Sequence, residues 1–340
     1  MWTFDWQFSP EETRPRQAFE LDHAIAKDLP TNEIASDLLP LIRSNHSTIS
    51  ADHTNLLVGG PELSYHQIDP FLPQRLRELG IVDDGVSAGK TYAYGEDFDV
   101  CLEDSWSGLF VAEHIQGMAD NAPLTIIHLD DHTDMMSTLL LGQERLTDPI
   151  FGKPFNPEIS SDWPSAIQSG AVGIGSFLTP FFALNRTVTV LHLKAGTGAP
   201  KAYAVTPSTC RHPLLGRYAF FDLQLRNPDG DGKHIYVVGE DAGELLSHVA
   251  VPESAVVHID LDYFINDFNG NALDRPYAPD SSLRIIAQSR TDTFFRALID
   301  QDWTIARWIV GTSPGFCSAI HWPFLFDLIS AGIRSHARSR

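Results

Sequence analysis

The sequence predicts an α/β chain with a central, mostly parallel sheet and a charged site at the carboxyl ends of its strands. Three observations predict it. Thr125-Ile126-Ile127-His128-Leu129 is a short apolar run rich in β-branched residues, which reads as a buried strand, and it turns abruptly into Asp130-Asp131-His132-Thr133-Asp134. Ala255-Val256-Val257-His258-Ile259 repeats that grammar and ends in Asp260-Leu261-Asp262. Helix-like stretches alternate with such strands, which is the order a parallel sheet requires.

In chain order, residues 1–60 are uneven and are expected as an extension packed on the core. Residues 61–340 are expected as a single domain with a loop-rich insertion around 195–232. Asn32–Leu39 allows a short helix closed by Pro40, and Asp52-His53-Thr54 reads as a turn. Phe71–Leu79 has leucines near helical spacing and Gly80 as a stop. Lys90–Cys101 reads as extended. Leu109–His114 reads as an apolar strand ending in a histidine, with Ile115–Ala122 as the helix that follows. Met135–Leu141 is expected to continue as a helix after the acidic tip.

Gly142–Ser169, rich in Pro, Asn, Asp and Ser, reads mostly as loop. The glycines of Ser169–Phe177 do not follow a strand in G-x-G-x-x-G order. That excludes a dinucleotide loop and suggests backbone close to the rim of the site. Thr187–Leu193 is a strand. Ala195–Pro200 and Asn227–Gly232 are turns flanking a hairpin-rich insertion, and Ile235–Val238 is a further strand. Ser281–Asp300 is an amphipathic helix carrying Leu283, Ile286, Ala287, Phe294, Phe295 and Leu298. Trp303–Val310 is the last strand, Gly311–Phe316 a tight loop on the site side, and Trp322–Ile333 a closing helix. Arg334–Arg340 reads as a frayed basic end.

Composition narrows the function. With 340 residues and 43% hydrophobic content the chain can bury a large core. No apolar run reaches the length of a membrane span, and the first residues lack the basic-then-apolar order of a signal peptide. Three scattered cysteines suit a reduced, cytoplasmic setting. A formal net charge of −20 lacks the basic excess that nucleic-acid binding needs; it serves general solubility first, and its direction also suits a cationic partner.

The two acidic tips point to metal. Asp130, His132 and Asp134 fall at i, i+2 and i+4, which in extended chain sends them to one side. Charge without a partner is expensive at the end of a buried strand, and a cation between the side chains removes that cost. Asp260 and Asp262 share a parity in the same way. A solvated turn accounts for either motif alone; two strand ends with matching spacing favour one shared site. His128 and His258 each lie two residues before the first acid and are expected either to support the site from deeper in the strand or to belong to the core.

DDHTDMM at Asp130–Met136 together with HIDLDYF at His258–Phe264 resembles the ureohydrolase superfamily of arginases and agmatinases. With Glu113-His114 ahead of the hydrophobic strand, the fuller pattern is similar to its peptide arginase branch. The resemblance covers Phe110–Met136 and Val256–Gly270 and is loose elsewhere. It implies an arginase-like three-layer fold and two Mn2+ per chain, held by His114, Asp130, His132, Asp134, Asp260 and Asp262. Asp130 and Asp260 would bridge, His114 and Asp134 would complete one ion, and His132 and Asp262 the other. That oxygen-rich set without thiolate suits manganese or magnesium better than structural zinc. The implied activity is hydrolysis of the guanidinium of arginine inside a ribosomally made peptide, leaving ornithine and releasing urea.

The chain departs from the family pattern in two places. No histidine occurs between His132 and His192 for proton transfer, and the last glutamate, Glu253, precedes the second acidic motif. Asp134 and His321 are the expected catalytic residues, and Glu113 and Asp267 the expected substrate-binding acids. The alternatives are a free-arginine or agmatine ureohydrolase, a deacetylase-like metal amidohydrolase, and an inactive metal-binding module.

Overall fold

The computed structural model of the chain describes residues 4–8, 17–39, 41–42, 44–61, 66, 68–81, 91–228, 232–270 and 281–340. Its amino-terminal part contains β1 (Asp5–Phe8), β2 (Gln17–Glu20), α1 (His23–Ala26), α2 (Thr31–Leu38), β3 (Ser44–Ile49), β4 (Asn55–Pro61) and α3 (Leu72–Glu78). There follow β5 (Thr91–Tyr94), β6 (Asp99–Cys101), α4 (Ser107–Gln116), β7 (Leu124–Leu129), β8 (Leu146–Asp148), β9 (Lys153–Phe155) and α5 (Trp163–Ser169). The remainder is β10 (Val188–Leu193), β11 (Lys201–Cys210), β12 (Phe220–Arg226), β13 (His234–Gly239), α6 (Ala242–Leu246), β14 (Ala255–Asp260), α7 (Ser281–Asp300), β15 (Ile305–Gly311) and α8 (Trp322–Arg338).

Ten strands form one sheet in the order β1-β5-β6-β15-β14-β7-β10-β13-β11-β12. The middle run from β6 to β13 is parallel throughout, and antiparallel strands close both edges. β7 and β14 are buried at every position, so both faces of the sheet must be covered. Alternate side chains feed two cores. Leu124, Ile126, Val188, Val190 and Val256 pack on one face with residues of α4 and α5. Ile127, Leu129, Leu191, Leu193, Val257 and Ile259 pack on the other with residues of α3, α6, α7 and α8. The architecture is therefore α/β in three layers.

Residues 1–60 join this core in two places: β1 pairs with β5 at the sheet edge, and Phe19, Ile34, Leu56 and Val58 enter the first core. The insertion around 195–232 also belongs to the sheet, since β11 and β12 extend it beyond β13. Residues 229–231 of the expected second turn lie outside the described residues.

Five local expectations change. Leu109–His114 is helix, not strand. A four-residue apolar run carries no period of its own, and here Leu109, Phe110, Val111 and Ala112 are all buried within α4. Gly108 makes that packing possible, because a Cβ there would lie 1.9 Å from the Trp163 ring. α4 stops at Gln116, and the chain turns at Asn121 with φ 59°. Met135–Leu141 forms no helix. Asp134 takes φ 49°, and the N–H groups of Met136, Thr138 and Leu139 donate to Gly175, Phe221 and Ala171 instead of to carbonyls one turn back. The region 142–169 holds the β8–β9 hairpin and α5. The basic tail is helical to Arg338, with Arg334 paired to Asp97 at 2.9 Å.

Candidate metal centre

The centre is assembled on three adjacent strands. β10, β7 and β14 run parallel in a register that aligns His192 with His128 and His128 with His258. Since strand side chains alternate, all three point to the face of the first core, and all are fully buried. His192 Nε2 donates to the Asp130 carbonyl at 3.0 Å, which leaves Nδ1 to accept from the Tyr236 hydroxyl at 2.7 Å. His128 and His258 meet Nδ1 to Nδ1 at 2.9 Å, with the Phe177 ring packed against both.

Two residues further on, the same parity delivers the acids. The His132 N–H donates to Asp130 Oδ1 at 2.6 Å, the Asp262 N–H to Asp260 Oδ1 at 3.1 Å, and the Asp131 N–H to Asp262 Oδ1 at 3.1 Å. The first two close a turn within each strand end, and the third ties the ends of β7 and β14 together. Ser313 Oγ donates to Asp260 Oδ2 at 3.0 Å. Asp134, Asn269 and Ser313 sit at φ 49°, 48° and 52°, left-handed conformations that cost a non-glycine residue about 1–2 kcal/mol and that cluster at functional sites.

The remaining polar atoms converge without hydrogen bonds. Asp104 Oδ1, His128 Nε2, Asp130 Oδ2, Asp134 Oδ2, His258 Nε2 and Asp262 Oδ2 are all buried and none has a hydrogen-bond partner. His128 Nε2 lies 3.4 Å from Asp130 Oδ2 and 3.8 Å from Asp134 Oδ2, and His258 Nε2 lies 3.7 Å from Asp104 Oδ1. His132 Nδ1 is 2.8 Å from Asp262 Oδ2 and 3.5 Å from Asp130 Oδ1. Two sets of donors stand close enough to share an ion: Asp130 with His132 and Asp262, and Asp130 with His128 and His258. Ligand atoms about 2.1 Å from one cation stand roughly 3–4 Å apart, so these spacings suit coordination.

The electrostatics agree. Burial, and after it the neighbouring carboxylates, push Asp130, Asp134 and Asp260 well above the usual carboxylate range. Burial opposes charge on His132, but Asp130 and Asp262 outweigh it and raise its pKa to about 11. A proton on His132 does there what a metal cation does better: it offsets several buried negative charges at once.

Of the residues expected from sequence, Asp130, His132, Asp134, Asp260 and Asp262 come together. His114 does not. It lies in the last turn of α4, where burial, Arg307 and Arg186 depress its pKa. Glu113 is also elsewhere, accepting from Tyr94 Oη at 2.7 Å and from Arg307 Nη2 at 2.8 Å. Arg307 pairs in register with Val256, four residues and about 13 Å before the Asp260 strand end. Asp267 and His321 come together as a pair beside the centre, with His321 Nε2 3.2 Å from Asp267 Oδ2 and the Ser318 N–H donating to the same oxygen at 3.2 Å.

Sequence reading missed Asp104. Its signal was present: Asp99-Val100-Cys101-Leu102 is a third extended stretch running into acids, Glu103 and Asp104. Asp104 is buried, and after burial it is the largest influence on Asp134 and on Asp260. A mixed, mostly parallel α/β sheet with a buried cluster of carboxylates and imidazoles at its carboxyl strand ends is the class that fold and site define. No family model matches the chain, and no curated protein matches it.

Proposed function

We propose that the chain is an arginase-like hydrolase with two Mn2+ per chain, acting on arginine within a peptide to give ornithine and urea. The observation that carries the metal part is the convergence of buried donors without hydrogen-bond partners on β7, on β14 and just beyond β6. Asp130, His132, Asp134, Asp260 and Asp262 would hold the cations, with Asp130 common to both converging donor sets. When bound, such a pair supplies Lewis-acid activation of water for attack at a trigonal carbon.

The chain's own residues would do the rest. His132 is the open side of the centre, with 38% of its side chain exposed, and it is framed by Asn269 Oδ1 at 3.3 Å and the Phe316 ring. Asp267 and His321 couple a carboxylate to an imidazole next to that opening, an arrangement suited to holding and passing a proton. The choice of a guanidinium in a peptide rests on the resemblance of DDHTDMM and HIDLDYF, and a net charge of −20 suits a basic substrate.

The test is urea release in the presence of Mn2+. Specificity constants are compared for a peptide with an internal arginine, for free arginine and for agmatine. Remote contacts to a peptide should appear as a higher kcat/KM. Equal values for free arginine would replace the peptide reading with a plain arginase. Urea from none of the three would end the ureohydrolase reading. Colorimetric urea is needed, because arginine-to-ornithine conversion and deacetylation remove the same nominal mass.

A further inference from the structure

With His114 away from the centre, the buried side of the site lacks the imidazole that the sequence assigned to it. The histidine row offers a replacement, and proton counting identifies which residue. Each neutral imidazole carries one N–H. The Nδ1–Nδ1 contact of His128 and His258 uses one of the two hydrogens, so only one Nε2 carries the other. The second Nε2 turns a bare lone pair toward a carboxylate inside a dry site, a repulsive arrangement unless a cation intervenes. His128 Nε2 faces two carboxylate oxygens, at 3.4 and 3.8 Å, and is the better place for the hydrogen. His258 Nε2 is then the bare nitrogen, aimed at Asp104 Oδ1.

The backbone around this pair is shaped for it. Gly311 ends β15, and a Cβ there would lie 1.6 Å from Asp104 Oδ1 and 3.6 Å from His258 Nε2. Only a residue without a side chain leaves room for the carboxylate to face the imidazole. Asp104 Oδ1 is buried and without a hydrogen-bond partner, which is rare for a buried carboxylate oxygen.

We propose that Asp104 Oδ1 and His258 Nε2 are ligands of the inner cation, with Asp134 and Asp130 completing its shell, and that His128 is the positioning residue that orients His258. This rests on the metal-centre reading above and changes its ligand set. Two consequences follow. The inner cation is held by three strand ends, β6, β14 and β7, and has no exposed ligand. The outer cation, on His132 and Asp262, is the exchangeable one.

The experiment is metal stoichiometry by equilibrium dialysis with Mn2+ and elemental analysis. Wild type should hold two ions per chain; His258→Gln and Asp104→Asn should each hold one, and His114→Ala should hold two. A second measurement avoids dependence on those two variants folding. In a His132→Ala/His114→Ala chain loaded with one Mn2+ and labelled with 15N-histidine, pulsed EPR should show coupling of the ion to an imidazole nitrogen. No coupling, or two ions of unchanged affinity in His258→Gln and Asp104→Asn, overturns this ligand assignment and leaves the metal centre standing. A wild-type chain that binds no Mn2+ overturns both.

Discussion

The inner and outer halves of the centre are built differently. On the inner side, Asp104, His128 and His258 are buried, and the facing atoms of each lack a hydrogen-bond partner. On the outer side, His132 is partly exposed and its two ring nitrogens face Asp262 and Asn269. A protein that leaves buried polar atoms unpaired loses about 1–3 kcal/mol for each. Such a concentration at one place is tolerable when an ion supplies the missing partner. The outer half can satisfy itself with a proton on His132. The comparison separates an inner half whose buried donors face one another without partners from an outer half that a proton on an accessible imidazole can satisfy.

The strongest way to break this comparison is Asp130→Asn, because Asp130 belongs to both donor sets. Both ions should be lost. Urea release should fall by more than about 100-fold, since loss of a supporting residue alone costs about 10- to 100-fold. Retention of two ions and of turnover would mean that the two halves do not share a ligand.

Gly311→Ala should come next, acting on the inner half alone. The added carbon would displace the Asp104 carboxylate, so one ion should be lost while the His132 side still binds one. Unchanged stoichiometry by elemental analysis would remove Asp104 from the centre.

A third test uses pH without metal. Asp130, Asp134 and Asp260 have folded pKa values above their unfolded value of 3.8, and His132 has one of about 11 against 6.5. In each case the folded chain holds protons more tightly than the unfolded one, so stability falls as pH rises. For the acids the loss begins above the unfolded value of 3.8; for His132 it runs from 6.5 toward about 11. In chelator, the melting temperature of wild type should drop between about pH 6 and about pH 9 by a few degrees more than that of Asp130→Asn, and Mn2+ should cancel the difference. A wild-type chain that melts higher at alkaline pH in chelator would contradict the electrostatics of the site.

The smallest effect is expected at Glu113. Glu113→Gln removes one partner of Arg307 in a half-buried pair, far from the acids. Stability should fall by no more than about 1 kcal/mol and urea release should not change. A large loss of kcat/KM there would return Glu113 to the substrate site.

Much of the fold is legible in the sequence because burial on both faces leaves a continuous apolar signature. β7, β10, β14 and β15 are short hydrophobic runs, and Ser281–Asp300 is a long amphipathic period; each stands where it was expected. The acids at Asp130–Asp134 and Asp260–Asp262 are legible for a related reason: charge directly after a buried strand is costly, so it signals a partner. The segments that went wrong, Leu109–His114 and Met135–Leu141, are short or apolar without a clear period. The backbone partners of Met135–Leu141 come from distant residues, Gly175, Phe221 and Ala171, and Leu109–His114 is helical because all of its apolar residues are buried within α4. His114 followed that error out of the site. Asp104 was missed because its carboxylate reaches the centre only through the pairing of β6 with β15 and the gap at Gly311. The sequence by itself determined the strands, their acidic ends and their shared parity, since these depend on neighbours within a few residues. Only the tertiary structure decided which imidazole faces which carboxylate, because that depends on the register between strands more than a hundred residues apart.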